Sequence, residues 1–204
     1  MSEGLRERKM RVARRAMERA AVDIAYDEGV QAVTVDRVCA AVPVSRSTFF
    51  NYFASLEEAI FGSALSYDSQ VTDAILSRHP DDLVVAACLI VMDAVRGQSD
   101  DEVTRRRFAL FAREPGTTSA VSWASHESRE RLVAVIEAWL DGHPGQARLS
   151  RGGHAVEARL TVGLSIALGD EVLQDVREVD GEVSVDLATL RAARARMSAI
   201  LARD

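Results

Sequence analysis

Apolar residues recur along this chain mostly at three- and four-residue spacing, the period of a helix face. Ala13, Ala16, Met17, Ala20, Ala21 and Ile24 make such a stripe in a segment from about Arg8 to Tyr26, and Gly29 closes it as a residue tolerant of positive φ. Val35, Val38, Cys39 and Val42 form a second stripe, with Thr34 placed as N-cap. Pro43 ends that helix because it has no N–H and its ring clashes with the preceding turn. Ser45 caps a further short helix that turns Phe49 and Phe53 inward and leaves Arg46, Ser47, Thr48, Asn51 and Tyr52 on the other face. Ser55-Leu56-Glu57-Glu58 has the S-x-x-E form of a capping box and predicts a fourth helix running to about Arg78.

The same pattern continues to the C-terminus. His79-Pro80-Asp81-Asp82 is a break, and Leu83 to Val95 is apolar almost all round, as befits the centre of a bundle. Ser99 to Glu102 predicts another cap, followed by Arg105, Arg106 and Arg107 as a solvated turn and by Phe108, Leu110 and Phe111 as core, with Pro115-Gly116 as the stop. Thr118 to Leu140 and Ala155 to Val176 read as long helices separated by the Gly142 to Gly153 loop. Asp180-Gly181 marks a turn, and Ser184 caps a last helix to about Ala202. No alternating β run with hairpin turns occurs, so the expected class is all-α with about nine helices.

A short helix, a sharp turn and a second helix with an apolar root and a polar front is the layout of a helix-turn-helix DNA reader. The segment P-V-S-R-S-T-F-F-N-Y-F-A-S-L-E at residues 43–57 resembles the TetR (tetracycline-repressor-like) family, whose pattern there is roughly G-V-S-x-x-T-F/L-Y-x-Y-F-x-S/N-K-E. The likeness is dense over residues 10 to 60 and rests beyond them on length and helical pattern alone. Two positions depart from it: Pro43 replaces the turn glycine, and Leu56 replaces a lysine that in the family lies near the DNA backbone. The resemblance implies an N-terminal three-helix DNA-binding domain, placed at residues 1–54, and a larger helical effector-binding and dimerisation domain at residues 55–204.

The expected DNA contacts are Thr34, Arg37, Ser45, Arg46, Ser47, Thr48, Asn51 and Tyr52. Thr34 and Ser45 cap helices whose N–H groups can face phosphate. Arg46 can donate two parallel hydrogen bonds to guanine, and Thr48 can offer a hydroxyl or pack its methyl on thymine. Arg37 lies on the exposed side of its helix, within reach of base or backbone. Tyr52 resembles the family tyrosine whose hydroxyl meets a phosphate oxygen, a contact that positions without reading sequence. The resemblance also implies a small-molecule cavity in the second half, for which Cys88, Met92, Phe108, Phe111, Trp123 and His126 are the candidates, each with plain core as its competing role.

Charge changes the picture in one respect. The 204 residues carry a net −6, which alone argues against nucleic acid. Residues 1 to 54, however, hold nine Lys/Arg against seven Asp/Glu, a balance of +2, whereas the remaining 150 hold 16 against 24, or −8. A basic end on an acidic body suits a protein that meets DNA at one end only. No run reaches the roughly 18–20 apolar residues of a membrane span, and no apolar stretch follows the basic N-terminus as a secretory signal requires. Cys39 and Cys88 have no metal spacing and read as small buried residues of a reducing cytoplasm. Nucleotide-binding, esterase, zinc-protease and redox motifs are missing, and the four histidines share no ligand spacing, so neither enzyme chemistry, a metal nor a cofactor is expected.

The reading is a cytoplasmic DNA-binding transcriptional regulator that meets a double-stranded operator of inverted-repeat form as a homodimer. The resemblance adds that it is a repressor released by an unknown small molecule. Dimerisation is expected through the last two helices, where residues 155 to 176 and 185 to 202 are strongly apolar and Gly163, Ala167 and Gly169 allow close approach. The alternatives are a regulator without an effector, and a helical small-molecule-binding protein or enzyme whose DNA reader has decayed.

Overall fold

The computed structural model describes residues 4–98, 102–113, 125–149, 153–175 and 185–201, which form ten α-helices and no strand. The fold is all-α, as the periodicity predicts. α1 (Leu5–Glu28) starts earlier than its apolar stripe, because the Glu7 carboxylate accepts from the Gly4 N–H at 3.2 Å and secures the first turn. It ends at Gly29, whose φ of 91° only glycine adopts cheaply. α2 (Val35–Ala41) and α3 (Arg46–Tyr52) follow, with Val38, Phe49 and Phe53 buried against Met17, Ala21 and Ala25 of α1.

The expected fourth helix is two helices. α4 (Leu56–Phe61) stops at Gly62, where φ is 95°, and α5 (Ser69–Arg78) restarts at Asp68, whose carboxylate accepts from the Gln70 and Val71 N–H groups. Between them the Leu65 N–H donates to the Ser128 hydroxyl at 2.9 Å, so a distant partner replaces the helical bond that a continuous helix would make. This break raises the expected nine helices to ten.

α6 (Leu83–Gln98) runs through the body, packed on α5, α7, α8, α9 and α10. One side, with Ala86, Ala87 and Ile90, meets Leu132 and Ile136 of α8 (His126–Gly142) and Val162 of α9 (Gly153–Asp175). The other, with Val84, Val85 and Cys88, meets Leu168 and Val172 of α9 and Leu190 of α10 (Leu187–Leu201). The Gly142–Gly153 loop contains a 3₁₀ turn at Pro144–Gln146 and is tied to α9 by the buried Glu157, which accepts from the Arg148 and Leu149 N–H groups. Both cysteines are free, Cys88 buried and Cys39 half-buried. The expected cap at residues 99–101, the Pro115-Gly116 stop, the Asp180-Gly181 turn and the Ser184 cap fall outside the described residues.

α7 (Glu102–Arg113) corrects the expectation of a solvated arginine run. Arg107 is only 5% exposed and donates through Nε to the Ile60 carbonyl at 2.7 Å and through Nη2 to the Ala59 carbonyl at 3.1 Å. These are carbonyls of the last turn of α4, which have no partner inside their own helix. Arg106 pairs with Asp23 of α1 at 2.8 Å, and Arg113 lies 4.0 Å from the Tyr26 ring centroid. The front core also continues past residue 54: Phe61 stacks on Phe111, and Val95, Leu110 and Leu173 join Phe49 and Phe53 in one cluster. Arg107→Met keeps the apolar stem but strands two buried carbonyls. We expect a loss of about 1–3 kcal/mol, measured as a lower urea midpoint at unchanged m.

Candidate nucleic-acid interface

The helix-turn-helix is built from local caps. The Thr34 hydroxyl accepts from the Arg37 N–H at 3.2 Å, and the Ser45 hydroxyl accepts from the Thr48 N–H at 3.0 Å. Pro43 needs no positive φ to turn the chain. The Val44 N–H donates to the Val42 carbonyl at 2.5 Å, closing a three-residue turn that needs no N–H at its centre. Phe49 and Phe53, with ring centroids 5.0 Å apart, fix the inward face of α3. Its outward face leaves Arg46, Ser47, Phe50 and Asn51 exposed, while Thr48 and Tyr52 are half-buried. The Thr48 hydroxyl lies 2.8 Å from that of Ser45.

The two arginines predicted to face DNA are held differently. Arg37 places Nη2 on Glu28 Oε1 at 2.5 Å and Nη1 on Glu28 Oε2 and on the Ala32 carbonyl, which fastens α2 to the end of α1. That hydrogen bonding lowers the Glu28 carboxyl and raises the Arg37 guanidinium from their ordinary values. Arg46 uses Nη1 alone, donating to both carboxylate oxygens of Asp36 at 2.8 Å.

Two residues that the sequence pattern did not single out complete the site. Phe50 is exposed beside Arg46 and Ser47, edge-on to Phe49 at 5.4 Å; its i+3 and i+4 spacing from them was the available signal. Arg14 is the other. It donates to the Tyr52 carbonyl at 2.7 Å, to Glu58 and to the Ser63 hydroxyl at 2.8 Å each, and lies 4.6 Å from the Phe53 centroid. Leu56, where the family pattern has lysine, packs half-buried against the front core.

The five pocket candidates among the described residues do not converge. Phe108 and Phe111 belong to the front core, and Cys88 and Met92 to the core shared by α6, α9 and α10. Burial pushes the Cys88 thiol up to about 12, so it stays protonated, and it donates to the Ser165 carbonyl. His126 is exposed at the first position of α8, and Trp123 lies outside the described residues. A cavity of about 370 Å³ opens instead between α5 and α6, lined by Ser66, Tyr67, Asp68, Val71, Thr72, Ile90, Asp93 and Ala94. Burial raises the Tyr67 phenol, whose hydroxyl donates to the Ser128 carbonyl at 3.2 Å.

Capped short helices with an outward polar face on the second have the layout of a helix-turn-helix, here joined to a large helical body. Residues 19–58 match the family model for bacterial regulatory proteins of the tetR family. The chain is 29% identical over 143 residues to the HTH-type transcriptional regulator TcmR of Streptomyces glaucescens, across 66% of this chain and 63% of TcmR. The matched stretch thus spans less than two thirds of that relative's length. Among solved structures, a TetR-family transcriptional regulator from Pectobacterium atrosepticum aligns at a TM-score of 0.44 and 15% identity, covering 95% of this chain and 94% of its own. GusR of Salmonella enterica aligns at 0.45 and 16%, covering 93% and 95%. Among the described residues no helix is long and apolar enough to cross a membrane.

Glu58 gives the reader's anchor a pH signature. Partial burial alone would raise its carboxyl, but hydrogen bonds from Arg14, the Ala54 N–H and Ser63 hold it below the usual glutamate value. A carboxyl lowered in the folded state stabilises fully above its unfolded pKa, about 4.3, and that stability disappears as pH falls through the folded value. Glu58→Gln is therefore expected to be less stable than the parent at pH 7, with the gap closing as pH drops below about 4. Urea midpoints of both proteins across that range decide it, and a gap independent of pH counts against the assignment.

Proposed function

We propose that this chain is a repressor that binds an inverted-repeat operator as a homodimer and is released by a small molecule. The observation carrying the DNA half is the front of α3. Arg46, Ser47 and Asn51 project from a helix whose opposite face is locked by Phe49 and Phe53, and α2 and Arg14 brace it from behind. In helix-turn-helix proteins the second helix enters the major groove and reads base edges with its N-terminal residues. Arg46, Ser47 and Asn51 take the bases. Thr34, Ser45 and Tyr52 serve phosphates, with Thr48 between them and Arg37 chiefly holding α2 to α1.

The dimer half draws support from the outer face of α9. Leu160 is 56% exposed, Ala167 is exposed, and a Cβ added at Gly163 or Gly169 would meet nothing within 4 Å. Such a face, with α10 beside it, suits close packing against the same pair of helices from a second copy. The cavity between α5 and α6 is a site for an effector, since α5 follows the break at Gly62 and α4 carries Glu58, the partner of Arg14. An effector releases DNA only by binding the DNA-incompetent arrangement more tightly. It would do so by changing the separation of the two α3 helices, which must be roughly 34 Å to reach successive major grooves. The protein acts in the cytoplasm, where its operator is.

Selection of bound duplexes from a random DNA pool is expected to return an inverted repeat. A single asymmetric site bound by a monomer would falsify the dimeric reading. The exposed Arg6, Arg8 and Lys9 on the first turns of α1 are placed to neutralise phosphates in place of the lysine missing at Leu56. Changing all three to Gln is expected to reduce the slope of log K against log salt by about one to two units, at about 0.9 per phosphate, with the melting temperature unchanged. An unaltered slope would leave these charges without a role in binding.

A further inference from the structure

Asp36 lies in the first turn of α2 and Arg46 opens α3, so their contact joins the exposed fronts of the two helices. Their side chains are 68% and 60% exposed, and ion pairs of that kind add little to stability. What the pair changes is the geometry and charge of Arg46. Both carboxylate oxygens accept from Nη1, at 2.8 Å each, and the Nε–Nη2 edge of the guanidinium makes no bond within the described residues. Two parallel N–H groups remain on an arginine edge of that kind, the fork that matches guanine O6 and N7 in the major groove. Arg37, nine residues earlier, is instead tied by both terminal nitrogens to Glu28 and the Ala32 carbonyl at the end of α1.

Without Asp36, Arg46 would be a flexible cation at a DNA surface, free to settle on the nearest phosphate. That contact strengthens binding to every sequence alike and discriminates among none. With Asp36 in place the pair is close to neutral, and the remaining fork is aimed.

We propose that Asp36 is a positioning residue for specificity: it holds Arg46 for base reading and withholds it from the phosphate backbone. This rests on the reading that α3 meets base edges through Arg46. The test compares the parent, Asp36→Ala, Asp36→Glu and Arg46→Ala on two duplexes, the sequence selected by the parent and a shuffled duplex of equal length, over a range of salt. Asp36→Ala is expected to bind the shuffled duplex more tightly and to steepen its salt slope by up to about 0.9. Discrimination at one guanine per half-site should fall about tenfold, within what a bidentate base contact supplies. Asp36→Glu, which keeps the acceptor pair, should recover most of that discrimination, and melting temperatures should agree. Should Asp36→Ala melt early, Asp36→Asn removes the charge at constant size and carries the same comparison. If Arg46→Ala loses discrimination while the uncharged variants at position 36 keep both it and the parental slope, Asp36 has no such role. If Arg46→Ala keeps discrimination at every position, the base-reading role of Arg46 fails, and this proposal with it.

Discussion

The placement of the reader helix depends on one guanidinium. Arg14 sits midway along α1 and binds the Tyr52 carbonyl at the end of α3, Glu58 of α4 and Ser63 just beyond α4, with Phe53 beneath it. A helix of seven residues is too short to persist by itself in water. α3 persists because Ser45 caps its start, Phe49 and Phe53 bury one side, and Arg14 takes a carbonyl that the last turn cannot satisfy internally. The charge on Arg14 is offset by Glu18 and Glu58, so the half-buried cation is paired within the hydrogen-bonding groups it joins.

The body grips the reader with arginines as well, though by a different route. Arg107 reaches from α7 to the end of α4, while Arg106 and Arg113 reach to Asp23 and Tyr26 on α1. Together with the shared core of Phe61, Phe111 and Leu110, these contacts make the join between reader and body a packed one. Separating α7 from α4 therefore breaks the buried Arg107 hydrogen bonds, while Arg14, Arg106 and Arg113 tie both helices to α1. On the proposed function, this is the route by which an effector between α5 and α6 would be felt at α3.

The reader itself was legible in the sequence because its determinants are local. Thr34, Ser45 and Ser55 act on N–H groups three residues away, and Val38, Phe49 and Phe53 occupy stripe positions that any helix would turn inward. What escaped depends on partners far along the chain. Ser63 to Ser66 continues a helical pattern, yet Leu65 bonds to Ser128, and Gly62 supplies the positive φ that lets the chain turn away. Arg107 looks like a surface charge until Ala59 and Ile60 are brought against it. The cavity was the least legible element. Aromatic side chains such as Phe108 and Phe111 fill space, whereas a pocket lies where side chains fail to fill it, and no residue type signals that.

Arg37 and Arg46 show how far residue type falls short of role. Both are exposed arginines near helix starts, and both face a carboxylate. Glu28 sits end-on across the two terminal nitrogens of Arg37, with Ala32 on one of them, whereas Asp36 sits on a single terminal nitrogen of Arg46. The first arrangement makes a strut between α1 and α2, and the second leaves donors at the surface. An acidic protein that must discriminate among sequences gains from that division. On the proposed reading, attraction to phosphate would be left to the basic flank of α1, while α3, kept near neutral, would read by hydrogen-bond geometry.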